Sequence, residues 1–154
     1  MKATELRIGN LVRIDEMLRN ELFDNNEVIT DTDTFQIAMV ATDFINLYIK
    51  SCEYEFNMID IQPIPLTEEW LIKFGFEETV HENGNEYELQ INYSSGFRDF
   101  IALSNKGGVD SPFFLGWLTT NYQKEFVLAK QLEHVHQLQN LYFSLTGEEL
   151  TIND

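Results

Sequence analysis

An α+β fold is predicted: a small SH3-like β-barrel at the N-terminus, followed by a short helix, an antiparallel sheet and a C-terminal helix. Three observations carry it. Short runs with a period of two recur within residues 6–63, a helix with both ends marked follows at 67–76, and Leu138, Leu141, Tyr142 and Leu145 repeat at i, i+3, i+4 and i+7. The chain divides into a barrel-like part, residues 1–64, and a helix–sheet–helix part, residues 65–154, and the two are short enough to pack as one compact domain. At 154 residues the folded chain can remove about 70% of its unfolded surface from water and needs no covalent staples.

The barrel opens with Leu6, Ile8, Leu11, Val12 and Ile14 set around Gly9-Asn10, a turn feeding a strand that starts near Leu11. Over residues 34–40, Phe35, Ile37 and Met39 share one face; over 44–49, Ile45, Leu47 and Ile49 do. Ala41-Thr42-Asp43 is short enough to join them as a hairpin. Residues 59–62 give a last short strand, ended by Pro63 and Pro65, which have no amide to donate to a ladder.

In the second part Thr67 is placed to cap a helix, Glu68 and Glu69 sit at the positive end of its dipole, and Gly75 suits a left-handed residue after the last turn. Trp70, Leu71 and Phe74 fall on its core face. Tyr87, Leu89, Ile91 and Tyr93 then alternate with Glu88, Gln90 and Asn92. Asn83-Gly84 marks the hairpin that joins this strand to residues 76–80. Residues 100–103 read as a third strand, turning at 105–108. Residues 111–122 show no clean period and fit either a fourth strand with a bulge or an exposed patch of aromatics that includes Phe113, Phe114 and Trp117. Residues 126–130 read as a further strand or the run-up to the last helix, in which Val135 extends the apolar stripe by a turn and Gly147 ends it.

The charge is the outlier. Twenty-six acidic residues against ten basic give −16. A field of that sign repels nucleic acid and anionic membrane and attracts basic surfaces, including those with which other proteins grip nucleic acid. The acids are densest at Asp15, Glu16, Glu21, Asp24, Glu27, Asp31 and Asp33, seven against the single base Arg19. This stretch is expected to be an exposed loop or short helix and the first place to look for a partner. Direct nucleic-acid binding and membrane insertion are not expected. The first residues carry no apolar signal region, no apolar run approaches the roughly 20 residues of a membrane span, and the lone Cys52 makes no internal disulfide; a cytoplasmic protein of a bacterial host is expected.

Few residues suggest chemistry. His134 and His136 could share a metal ion on a strand, but on a helix they point about 200° apart, so no metal and no cofactor is expected. The acid pairs Asp31 with Asp33, Glu53 with Glu55, and Glu86 with Glu88 each place two carboxylates on one strand face. A chain this acidic produces such pairs by coincidence. Nothing activates Cys52 as a nucleophile, and phosphate-binding, nucleophile-elbow and dithiol motifs are absent.

Three stretches belong together: Glu5-Leu6-Arg7-Ile8-Gly9-Asn10-Leu11-Val12, residues 64–76 (IPLTEEWLIKFGF) and residues 135–150 (VHQLQNLYFSLTGEEL). They resemble an uncharacterised small protein family of Bacteroidetes phages, prophages and mobile elements. That family carries no assigned activity, so the resemblance transfers no catalytic residue; most of its motif positions are capping or packing positions. Members tend to have a short glycine-containing hairpin where this chain has residues 15–33.

Together these expectations describe a non-enzymatic binding protein of phage or mobile-element origin that engages the basic surface of a host RNA- or DNA-binding effector. Its sharpest form is an inhibitor of host immunity such as an anti-CRISPR protein acting on a guide-RNA-binding effector. The alternatives are a small metal-dependent enzyme using His134 and His136, and a scaffolding protein that self-associates through residues 113–122.

Overall fold

The computed structural model describes residues 2–23, 34–49, 52–82, 84–94, 97–105, 113–118, 124–125 and 131–153. For residues 20–23, 92–94, 97–100, 105, 114–118 and 124–125 it describes the backbone alone. The chain forms two compact units, Met1–Pro65 with His134–Leu141, and Leu66–Glu133 with Tyr142–Asp154.

The first unit is a five-stranded antiparallel sheet curled into a half-barrel. Its strands are β1 (Leu11–Ile14), β2 (Phe35–Val40), β3 (Phe44–Ile49), β4 (Cys52–Asn57) and β5 (Ile61–Gln62), in the order β4-β3-β2-β1-β5. Helix α1 (Glu16–Phe23) follows β1. The concave face buries Val12, Ile14, Phe35, Ile37, Ile45, Leu47, Ile49, Phe56 and Ile61 together with Leu6. Each large side chain so buried contributes on the order of 1.5–3 kcal/mol. The expected hairpin at residues 41–43 is closed by the Ala41 amide donating to the Phe44 carbonyl.

Within this sheet one face differs from its prediction. The β2 register shifts between Ile37 and Met39, so Met39 pairs with Asn46 and lies on the outer face. Val40 takes the inner place opposite Ile45. A bulge of one residue reverses every side chain beyond it, and the sequence period carries no sign of the bulge. The chain also enters β5 later than expected, through a 3-10 turn at Met58–Asp60.

The second unit begins with helix α2 (Glu68–Lys73), which buries Trp70 and Leu71; Phe74, at its C-terminal cap, is buried too. Thr67 holds the N-cap position, yet its hydroxyl makes no capping bond, contrary to its predicted role. Gly75 takes φ +84° after the last turn, as its position predicts. An antiparallel sheet follows: β6 (Glu77–His81), β7 (Gly84–Ser94), β8 (Phe97–Asn105), β9 (Phe113–Leu118) and β10 (Lys124–Glu125), in the order β10-β9-β8-β7-β6, with β11 (Gln131–Leu132) also along β9. The β6–β7 hairpin turns one residue earlier than Asn83-Gly84 suggests, because Gly84 already pairs with His81. The turn at 106–108 and the run at 126–130 lie outside the described residues.

β9 is the fourth strand, in unbroken register with β8 from Phe100 opposite Leu118 to Ser104 opposite Phe114, so the expected bulge is absent there. Helix α3 (Val135–Thr146) follows the sheet. Its stripe begins with fully buried Val135 and Leu138, as predicted, but it also buries His136 and Gln139. Among the described residues no helix is long and apolar enough to cross a membrane.

Candidate protein-interaction surface

The first unit presents an acidic sheet margin on β4. Cys52, Tyr54 and Phe56 stand opposite Ile49, Leu47 and Ile45, which are all buried, and therefore share the concave face. Only Phe56 is covered, whereas Cys52 is exposed and Tyr54 keeps 50% of its surface. Among the described residues no further strand joins β4, so the sheet has its margin here. On the convex face Glu53 stands opposite Tyr48 and Glu55 opposite Asn46; both glutamates are exposed, and Glu53 accepts a long 3.4 Å bond from Asn46 Nδ2. The margin thus carries carboxylates on one face and a tyrosine on the other. In the sequence alone Glu53 and Glu55 are an acid pair of the kind a chain this acidic produces by coincidence. The alternation of residues 52–56 marks a strand, but its place at the edge follows from topology.

The acids predicted to meet a partner are dispersed in role. Asp15 caps α1: its Oδ1 accepts from the Met17 amide at 3.0 Å and its carbonyl from the Arg19 amide at 2.9 Å, while Oδ2 accepts from Gln62 Nε2 at 2.8 Å. Its carboxylate is therefore engaged in holding α1 and β5. Glu16 is exposed in the first turn of α1, where the dipole favours it. Of Glu21 only the helical backbone is described, and Asp24, Glu27, Asp31 and Asp33 lie outside the described residues.

In the second unit Phe113 is buried and meets Tyr87 edge-on, with ring centroids 5.8 Å apart. It fills a core position and not a place in a surface patch. Phe114 and Trp117 lie in β9, with their backbones alone described. The other acidic margin is β6, all five residues of which are exposed. There Glu78 Oε1 is occupied by Asn85 Nδ2 at 2.6 Å and by the Tyr87 hydroxyl at 3.1 Å, and burial raises the Tyr87 pKa. His81 Nε2 lies 3.2 Å from Oε2 of buried Glu86, whose neighbour across the ladder is Ser104. The Glu86 burial was invisible in an acidic alternating run.

The two histidines behave differently from their predicted geometry. Helix α3 starts at Val135, so His134 precedes it and bridges to Pro65, and the two imidazoles stack 5.6 Å apart at 14°. Rings stacked in this way do not converge on one ion, and among the described residues no three His, Cys, Asp or Glu side chains gather to hold a metal. His136 is buried, its Nδ1 meets no partner among the described residues, and burial followed by the neighbouring His134 lowers its pKa to about 4, with Glu5 opposing. It is a neutral core imidazole at physiological pH.

Next to it, polar side chains tie α3 to the N-terminal turn. Gln139 Oε1 accepts from the Leu11 amide at 2.9 Å and its Nε2 donates to the Gly9 carbonyl at 3.4 Å. Asn140 donates to the Glu5 carbonyl and accepts from fully buried Asn10, whose own Oδ1 takes the Arg7 amide. Gly9, at φ 90°, and Asn10 pair in turn with both backbone groups of Ile37. The residues of the first and last motif stretches thus serve structure. No protein-family model, no curated protein and no solved structure matches the chain.

Proposed function

We propose that this chain is a non-enzymatic acidic binding protein of phage or mobile-element origin that engages a basic surface of a host nucleic-acid-handling protein. In its sharpest form it is an inhibitor of host immunity, of the anti-CRISPR kind, that acts on a guide-RNA-binding effector. The N-terminal half-barrel is read as SH3-like. The observation that carries the reading is the charge of −16 combined with exposed carboxylates on the sheet margins, Glu53 and Glu55 in one unit and Glu77 in the other. Such surfaces attract basic groups at long range, and a protein surface that binds nucleic acid supplies them. The phage setting rests on the motif resemblance alone.

Affinity capture from host lysate at low and at high salt tests the reading. Exposed charges are screened beyond about 10 Å at 0.1 M salt and about 3 Å at 1 M, so a partner held by this field is released as salt rises. Capture of no basic protein, or capture insensitive to both salt and charge reversal of the exposed acids, contradicts it.

A further inference from the structure

We infer that the outer edge of β4 takes up an extended segment of the partner as an added antiparallel strand, one in which Lys or Arg at alternate positions flank an apolar residue. The inference rests on the acidic-binding reading above and specifies where and how that binding occurs.

Four observations support it. β4 is the terminal strand of its sheet, and among the described residues nothing pairs with its outer side, so a row of backbone donors and acceptors is available for a further strand. Glu53 and Glu55 are two residues apart on the convex face, about 7 Å along the strand, which is the spacing of alternate side chains in any strand laid beside them. Between them, on the opposite face, Tyr54 is half exposed although its cross-strand partner Leu47 is fully buried. An apolar side chain of an added strand would lie against that ring and continue the core face. Finally, Tyr48, 44% exposed beside Glu53, gives the convex side a ring for the stem of a lysine or arginine.

Charge decides among occupants. A second copy paired antiparallel along β4 would bring rows of Glu53 and Glu55 together, and like charges facing each other across strands are unfavourable. A basic segment reverses that sign. β6 is a weaker receptor, because Glu78 is already bound by Asn85 and Tyr87.

The test uses the full chain, isotope-labelled for amide NMR, titrated with a blocked peptide that alternates lysine and valine. Two comparison peptides are a composition-matched one with its lysines clustered and an alternating one with N-methylated backbone amides. Shifts centred on Cys52–Asn57 are expected, with affinity falling at least about tenfold for the N-methylated peptide and for the double substitution Glu53→Lys/Glu55→Lys. Both positions are exposed, and the remaining amide spectrum reports whether the variant is folded. Equal binding of the clustered peptide, shifts centred elsewhere, or indifference to the double substitution overturns strand addition at β4 while leaving a basic partner in place. Concentration-dependent dimerisation with shifts at β4 in the absence of peptide overturns it in favour of a second copy. Failure of every basic peptide to bind, together with failure of lysate capture, overturns the broader reading as well.

Discussion

Replacing Gln139 by leucine tests the account of why α3 and the N-terminal motif belong together. The side chain is 2% exposed and serves two backbone groups, accepting from the Leu11 amide at 2.9 Å and donating to the Gly9 carbonyl at 3.4 Å. Leucine has a similar volume, so a cavity is not the issue; what is lost is hydrogen bonding. An amide left unpaired away from water costs about 1–3 kcal/mol, and the half-buried setting of Leu11 places it in the lower part of that range. The longer bond to Gly9 adds less than about 1 kcal/mol. A loss of about 1–2 kcal/mol is expected, which for a chain of this size lowers the melting temperature by about 2–8 °C. Urea denaturation followed by circular dichroism measures the loss, and amide exchange at Leu11 locates it. A change below about 0.5 kcal/mol, or unaltered exchange at Leu11, refutes the view that this glutamine closes the turn.

Three further outcomes are expected. His136 has its pKa lowered to about 4 by burial, so the folded state binds fewer protons than the unfolded one below the ordinary histidine pKa of 6.5. The contribution of this group is complete above about pH 6.5 and is lost, by up to about 3 kcal/mol, as pH falls towards 4; His136→Phe flattens that part of the denaturation-against-pH profile, and a slope identical to wild type contradicts the assignment. Gly75→Ala should cost more than Gly147→Ala although both glycines have positive φ, +84° and +76°. Each pays about 1–2 kcal/mol for the left-handed backbone, but only at Gly75 does the new methyl meet a neighbour, the side-chain Nδ2 of Asn153. That flexible end can swing aside while the Asn153 backbone N–H keeps its bond to the Lys73 carbonyl, so the excess is small, below about 1 kcal/mol, and equal melting points would dismiss that contact. Asp15→Ala should destabilise by about 1 kcal/mol through loss of the α1 cap, whereas Glu16→Ala, an exposed neighbour, should change little; comparable losses in urea would contradict the separation of their roles.

Elements set by local pattern were legible in the sequence. Ile45, Leu47 and Ile49 alternate and are buried; Trp70, Leu71 and Phe74 follow helical spacing and are buried; Gly75 lies where a left-handed residue ends a helix. What escaped depends on pairing between distant residues. The β2 bulge that turns Met39 outwards arises from register with β3, and no property of Met39 announces it. Gln139 and His136 are polar and do not show in an apolar stripe; the place of Gln139 depends on the turn at residues 6–11 being delivered to α3. The β4 margin was legible as alternation at residues 52–56, but whether Tyr54 faces solvent depends on where the sheet stops. Acid density along the chain pointed to residues 15–33, and it could not separate Asp15, bound to Met17 and Gln62, from carboxylates that face water.

The central claim is that the acidic surface occupies basic groups that otherwise hold nucleic acid, and competition tests it most directly. A partner captured by this chain is challenged with increasing RNA or duplex DNA, and the bound fraction is followed by fluorescence anisotropy. The account predicts mutual exclusion, with nucleic acid displacing the chain and the chain displacing nucleic acid. A stable ternary complex, or direct binding of nucleic acid by the chain alone, would contradict it.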